Sequence, residues 1–276
     1  MQQQQTLRET LEFEGVGLHT GARSRVRLAP REPGTGIAFR LGDVEVPALA
    51  EFVVDTSRAT VLGRGGRTVS TVEHLLSAVM GMEIDNVLID VDGPEIPVMD
   101  GSAKAFADAI ARAGTQPQGA RREPFTVDEP LAYRDGDALL LVLPAAEWRV
   151  RFAVDFAPPV GAQYFDGTIE TEAYRRRVAP SRTFGYLHEV EALLARGLAK
   201  GGTLDNALVF APDGPMTPLR SPDEVVAHKV LDLVGDLALL GARPQCEFVA
   251  LKSGHRLHAQ ATRDLRARRA ALGVAG

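Results

Sequence analysis

The sequence predicts an α+β fold built as two similar domains, each a small sheet layered with helices. Three observations carry that expectation. Short apolar runs broken by Gly and Pro gather ahead of the helical patterns instead of alternating with them. A stretch rich in Gly, Pro and polar residues, 114–124, falls near the middle of the 276-residue chain. After it the order strands, helix, strand, helix recurs, and in each half a His precedes a Gly by seven positions: His74 with Gly81, and His228 with Gly235.

In the first half, residues 24–28, 37–41 and 44–46 read as strands. They are followed by a helix over 71–80, a strand over 86–91 and a helix over 103–113 stopped by Gly114. In the second half, strands are expected at 138–143 and 148–156, then helices near 186–196, ended by Gly197, and over 223–240. An apolar strand at 246–251 and a helix from about 258 to 272 complete it. The domains are therefore expected at 1–116 and 125–276, with 117–124 as linker.

Composition narrows the function. Cys246 is the single cysteine, so no intrachain disulfide or Cys-rich metal cage is possible, and any metal must be held by His and carboxylates. That cysteine usage points to the cytoplasm. With 31 Lys and Arg against 36 Asp and Glu, the net charge of -5 argues against nucleic-acid binding, and the cluster Arg263 to Arg269 reads as a solvated helix face. No run approaches the roughly 20 apolar residues of a membrane span, and Met1 to Gln5 lacks the pattern of a signal peptide.

Three segments carry chemistry. The apolar helix over 223–240 places His228, Asp232 and Asp236 at i, i+4 and i+8, one polar stripe on one face. A buried carboxylate needs a partner, and either a metal or a His-Asp hydrogen bond along an interhelical seam would serve. In Ser70-Thr-Val-Glu-His-Leu75, Ser70 and Glu73 fit a capping box. Alternatively, His74 is a third metal ligand and Glu73 a base beside it. In Leu251-Lys-Ser-Gly-His-Arg256 an apolar strand ends in a turn that exposes His255. His188 and His258 read as solvated, and His19 lies in the Gly-rich loop Gly15 to Gly21. Taken together, His74, His228 and Asp232 supply three ligands that suit Zn²⁺ with no evident fourth, the pattern of an open catalytic site.

Several motifs resemble the UDP-3-O-acyl-N-acetylglucosamine deacetylase family. They are Ser70-Thr-Val-Glu-His-Leu75, Pro94-Glu-Ile-Pro-Val-Met-Asp-Gly-Ser102, Arg182-Thr-Phe-Gly-Tyr186, Gly201-Gly-Thr-Leu-Asp-Asn206, His228-Lys-Val-Leu-Asp232 and Lys252-Ser-Gly-His255, in that order along nearly the whole chain. The resemblance implies an active site at the interface of the two domains and an inserted subdomain in each. It implies one Zn²⁺ per chain on His74, His228 and Asp232, Glu73 as general base and His255 as general acid. Asp236 would pair with His255, while Thr183 and Lys229 would stabilise the oxyanion and bind substrate. Leu18, His19, Leu62, Phe184, Leu198, Gly202, Thr203 and Ala207 would contact substrate, with an acyl-chain passage at about 184–210.

The implied reaction is removal of the N-acetyl group of UDP-3-O-(3-hydroxyacyl)-N-acetylglucosamine, the committed step of lipid A synthesis, by a monomer. Such a protein would touch a membrane only peripherally, through its lipid substrate, and carry no appended dehydratase domain. A zinc amidase acting on another acylated amino sugar, or a non-catalytic lipid- or nucleotide-sugar-binding homologue, are the rival readings. The chain departs from the family pattern at Gly63, where Cys is common, in the short turn at 64–67, and at Arg256-Leu-His-Ala-Gln260.

Overall fold

The computed structural model describes residues 2–271. The first half runs β1 (Gln3–Leu7), β2 (Leu11–Val16), β3 (Arg23–Pro30), β4 (Ile37–Leu41), β5 (Val44–Pro47), β6 (Val53–Asp55), β7 (Val61–Arg64), β8 (Arg67–Val69), α1 (Glu73–Gly81), β9 (Val87–Asp92), α2 (Lys104–Ala113) and β10 (Thr115–Arg121). The second runs β11 (Leu131–Asp135), β12 (Ala138–Pro144), β13 (Arg149–Asp155), β14 (Ala162–Thr168), α3 (Thr171–Arg177), β15 (Phe184–Tyr186), α4 (Leu187–Ala195), β16 (Leu208–Ala211), β17 (Gly214–Pro215), α5 (Glu224–Leu237), β18 (Cys246–Leu251) and α6 (His255–Ala271).

The two halves share one topology. The first sheet has the order β2-β3-β9-β4-β5 and the second β11-β12-β18-β13-β14. In each, a single parallel pairing, β4 with β9 or β13 with β18, sits among antiparallel ones. A three-stranded sheet is inserted in each half: β6-β7-β8 before α1, and β15-β16-β17 before α5. The central strands β3 and β13 alternate. β3 buries Ser24, Val26 and Leu28 and β13 buries Val150, Phe152 and Val154, so one face of each meets helices and the other meets solvent.

Helices α1 and α5, one from each half, pack against each other in the centre. All nine residues of α1 are buried, as are thirteen of the fourteen in α5, Lys229 being the exception. The two glycines noted in the sequence make close approaches possible. A Cβ on Gly235 would lie 2.1 Å from the Glu73 carbonyl oxygen, and one on Gly81 would lie 2.4 Å from the Tyr174 ring.

Some expectations are corrected. Residues 115–121, read largely as linker, form β10, which pairs antiparallel with β1. Helix α6 begins at His255, three residues before the expected start, and its expected end at Leu272 lies outside the described residues. His258, read as solvated, is 0% exposed because α6 docks on α5. Arg263 and Arg266 are not a free basic face: Arg263 donates to the carbonyls of Ala50 and Val53, and Arg266 to that of Leu240 and to the Glu51 carboxylate. Among the described residues, no helix is long and apolar enough to cross a membrane.

One buried ion pair ties α5 to the segment that leads into β15. Glu224, 0% exposed, accepts from Arg182 Nε at 2.8 Å and from the backbone N–H groups of Arg182 and Arg220. Burial alone would raise the Glu224 carboxyl, but Arg182 and these N–H donors hold it below its ordinary value. Glu224→Ala strands the guanidinium, so a loss of about 3–5 kcal/mol is expected, read from the denaturant midpoint. A change under about 1 kcal/mol would show that the pair is not a structural tie.

Candidate active site

The site forms where α1 and α5 meet. Thr71, just before α1, has φ +58°, and its hydroxyl donates to Glu95 Oε1 at 2.8 Å. Glu95 is 0% exposed and also accepts from the backbone N–H groups of His19 and Thr20, so one carboxylate fixes both the start of α1 and the Gly-rich loop. The capping box does not form. The Ser70 hydroxyl donates to the Pro94 carbonyl, and Glu73 Oε2 instead accepts from the Thr60 N–H at 3.0 Å. Glu73 is thereby held into the site.

His74, His228 and Asp232 come together as one group able to hold a metal ion, all three buried. Asp232 Oδ1 lies 3.9 Å from His74 Nε2 and 3.5 Å from His228 Nε2. Ligands bound at about 2.0–2.2 Å in a tetrahedron sit about 3.3 Å apart, so these atoms need close in only slightly around an ion. His228 Nδ1 donates to the Ser181 carbonyl at 3.1 Å, which turns the Nε2 lone pair toward the other two. Asp232 Oδ2 takes the Lys229 ammonium at 2.6 Å, leaving Oδ1 for the metal. The donor set and its geometry fit.

The charge states agree with this arrangement. Burial, with His228 next, drops His74 to about 3, and burial also lowers His228, so both rings are neutral donors. Burial alone would raise Asp232, but Lys229 and the facing histidines outweigh it and keep the carboxyl well below its usual range. Burial alone would lower the Lys229 ammonium, yet Asp232, Asp236 and Glu73 push it up. Glu73 is raised to about 7, chiefly by burial, the range in which a carboxylate can take and return a proton near neutrality.

On the other side of Glu73 lies His255, its Nε2 3.9 Å from Glu73 Oε1, too far for a hydrogen bond. His255 Nδ1 donates to Asp236 Oδ2 at 2.8 Å. Burial alone would lower the imidazole, but Asp236 outweighs it and raises His255 to about 10, so the ring is a cation at neutral pH. Asp236 is in turn held at about 2: burial opposes this, but His255 and His258 overcome it. A second group that could hold a metal, Asp236 with His255 and His258, has both His Nδ1 atoms 2.8 Å from the same oxygen. That spacing belongs to hydrogen bonds.

Glu73, His74, His228, Asp232 and His255 line a cleft of about 710 Å³. Of the other expected residues, Leu18, His19, Thr183, Phe184, Gly202, Thr203 and Ala207 line it with Lys229. Leu62 does not: it is 0% exposed on β7, inside the first half's core. Leu198 is also off the cleft, its N–H tied back to the Leu193 carbonyl in the turn after α4. From the segment 184–210, where an acyl-chain passage is expected, Leu187, Val190, Leu193, Leu204 and Val209 add apolar lining, together with Met216. Arg256 points away, paired with Asp135. At Gly63 a Cβ would lie 3.0 Å from Thr68 Cγ2, so the β7–β8 hairpin leaves a side chain little room.

Sequence reasoning missed Ser57 and Arg58, which line the cleft, and Thr60, Ser181 and His258, which hold its side chains. Glu95 lies in the motif Pro94 to Ser102, and nothing in its local sequence signals its role.

Residues 4–267 match the family model for UDP-3-O-acyl N-acetylglycosamine deacetylase. A protein of Syntrophotalea carbinolica named UDP-3-O-acyl-N-acetylglucosamine deacetylase is 44% identical over 264 residues, covering 93% of this chain and 85% of its own. One of the same name from a Nostoc species is 43% identical over 268 residues, covering 93% and 96%. Another, from an Anaeromyxobacter species, is 46% identical over 260 residues, covering 92% and 86%.

Proposed function

The chain belongs to the UDP-3-O-acyl N-acetylglycosamine deacetylase family, and from this membership and the α1–α5 site we propose that it is a zinc-dependent amide hydrolase. Its substrate is UDP-3-O-(3-hydroxyacyl)-N-acetylglucosamine, and its products are acetate and the free sugar amine, the lipid A step. The observation that carries the reading is the juxtaposition of a three-ligand group, His74, His228 and Asp232, with Glu73 and His255 in one cleft whose wall also holds Leu187, Val190, Leu193 and Val209.

His74, His228 and Asp232 would hold Zn²⁺, which supplies a Lewis acid for the amide carbonyl and lowers the pKa of water toward about 7. Glu73, free of any cap duty, takes a proton from the attacking water. The Thr183 hydroxyl and the Lys229 ammonium, both in the cleft wall, would meet the carbonyl oxygen as it gains negative charge. As the C–N bond breaks, cationic His255 gives its proton to the departing nitrogen, which is too basic to leave as an anion, and Asp236 holds the ring in place. Phe184 and the apolar lining receive the acyl chain, while Leu18, His19, Gly202, Thr203 and Ala207 hold the rest. The chain would work as a monomer in the cytoplasm, and a single free, buried cysteine accords with that compartment.

The test is incubation of the metal-loaded chain with that substrate and with UDP-N-acetylglucosamine, which lacks the acyl chain. Acetate is expected from the first at a much higher kcat/KM; equal rates would remove acyl-chain binding from the account. The acid limb is separately testable. Because Asp236 raises His255, Asp236→Asn lowers the pH at which the acid loses its proton. The falling limb of kcat/KM against pH, near 10 or lower with a bound dication adding positive charge, therefore moves further down. An unmoved limb would remove His255 from that role.

A further inference from the structure

Asp236 is shared by two histidines. Its Oδ2 lies 2.8 Å from Nδ1 of His255 and 2.8 Å from Nδ1 of His258, while Oδ1 accepts from the Thr60 hydroxyl at 2.5 Å. His258 is 0% exposed, and its other nitrogen, Nε2, lies 2.8 Å from the hydroxyl of Ser253, itself 3% exposed. Both ring nitrogens are thus partnered in a site without water access, and only one tautomer satisfies both. Nδ1 must carry the proton, since its lone pair would otherwise face a carboxylate oxygen, and Nε2 must then accept from Ser253.

We propose that His258 is a positioning residue for the reaction: braced by Ser253, it donates to Asp236 and fixes the carboxylate in the orientation that aims His255 at the leaving nitrogen. This rests on the functional reading above. The geometry supports it in two ways. Two donors on one oxygen and a third on the other leave Asp236 no free rotation, and His255, at the start of α6, depends on Asp236 for its own aim. His258 sits three residues further along the same helix, so α6 docks on α5 through two histidines meeting one carboxylate.

Two variants separate positioning from mere packing. An Asn amide nitrogen falls where His Nδ1 was, so His258→Asn keeps the donor to Asp236 and loses the Ser253 contact. A Gln amide falls where Nε2 was, so His258→Gln keeps Ser253 and loses Asp236. In the metal-loaded full-length chain, His258→Gln is expected to lose about 10–100-fold in kcat with KM within about threefold, and His258→Asn to restore most of it. Equal losses in both, or a loss in KM alone, would overturn the proposal.

Should His258→Gln fail to fold, ¹⁵N-histidine NMR of the unmutated protein decides by itself. It should show His258 neutral with its proton on Nδ1; a proton on Nε2 would overturn the proposal. If the unmutated chain released no acetate, the functional reading would fail while the tautomer still tested the clamp. If it turned over normally and His258→Gln matched it, only the clamp would fail.

Discussion

Glu73→Gln is expected to lower kcat by about 10²–10⁴-fold without loss of stability. The amide keeps the oxygen that accepts from the Thr60 N–H, so the side chain stays in place. It cannot take a proton. The stability side follows from the direction of the shift. Burial raises the Glu73 carboxyl to about 7, above its unfolded value. Its ionised form therefore opposes folding increasingly as pH rises from the unfolded value through the folded one. A neutral amide removes that cost, so the variant should melt at or above the parent's temperature at pH 8. Inactive but no less stable is the signature of a group kept for chemistry rather than structure. Parental turnover would remove Glu73 from the base role, and a large drop in melting temperature would make the lost activity uninformative.

His228→Ala should abolish metal-dependent stabilisation together with activity. A ligand that binds only the folded chain stabilises it by RT ln(1 + [L]/Kd), about 2.7 kcal/mol at a hundredfold excess over Kd. The unmutated chain should therefore unfold at higher denaturant with Zn²⁺ than with chelator, while the variant should show little difference. His228 is the ligand to choose because removing Asp232 would strand the half-buried Lys229 ammonium and confuse ligand loss with loss of that ion pair. The same zinc-dependent gain in the variant would place the metal elsewhere, with the Asp236, His255 and His258 group the next candidate.

Most of this candidate site is legible in the sequence alone. His228, Asp232 and Asp236 stand out because a helix with buried apolar residues on every side cannot leave a polar stripe unexplained, and the 3.6-residue period alone puts them on one face. In the sequence the repeat shows as a shared order of elements and two His-Gly pairs, and the two sheets have the same strand order and pairing. What stayed hidden depends on contacts distant in sequence. β10 contains Pro117 and Gly119 and reads as linker, but its partner β1 lies more than a hundred residues away. His258 sits in a polar, basic stretch, and only the docking of α6 on α5 buries it. Leu62 and Leu198 lie near the cleft in sequence terms, but nothing local says which way a strand or turn residue faces once its sheet is packed.

The central claim is metal-assisted release of acetate by these residues. Purified chain is stripped with chelator and reloaded with increasing Zn²⁺, and acetate released from UDP-3-O-(3-hydroxyacyl)-N-acetylglucosamine is measured at each step. The predicted result is no turnover in the stripped protein and activity rising to a maximum at one equivalent of zinc per chain. Turnover that survives complete stripping, or no acetate at any zinc loading, would contradict it.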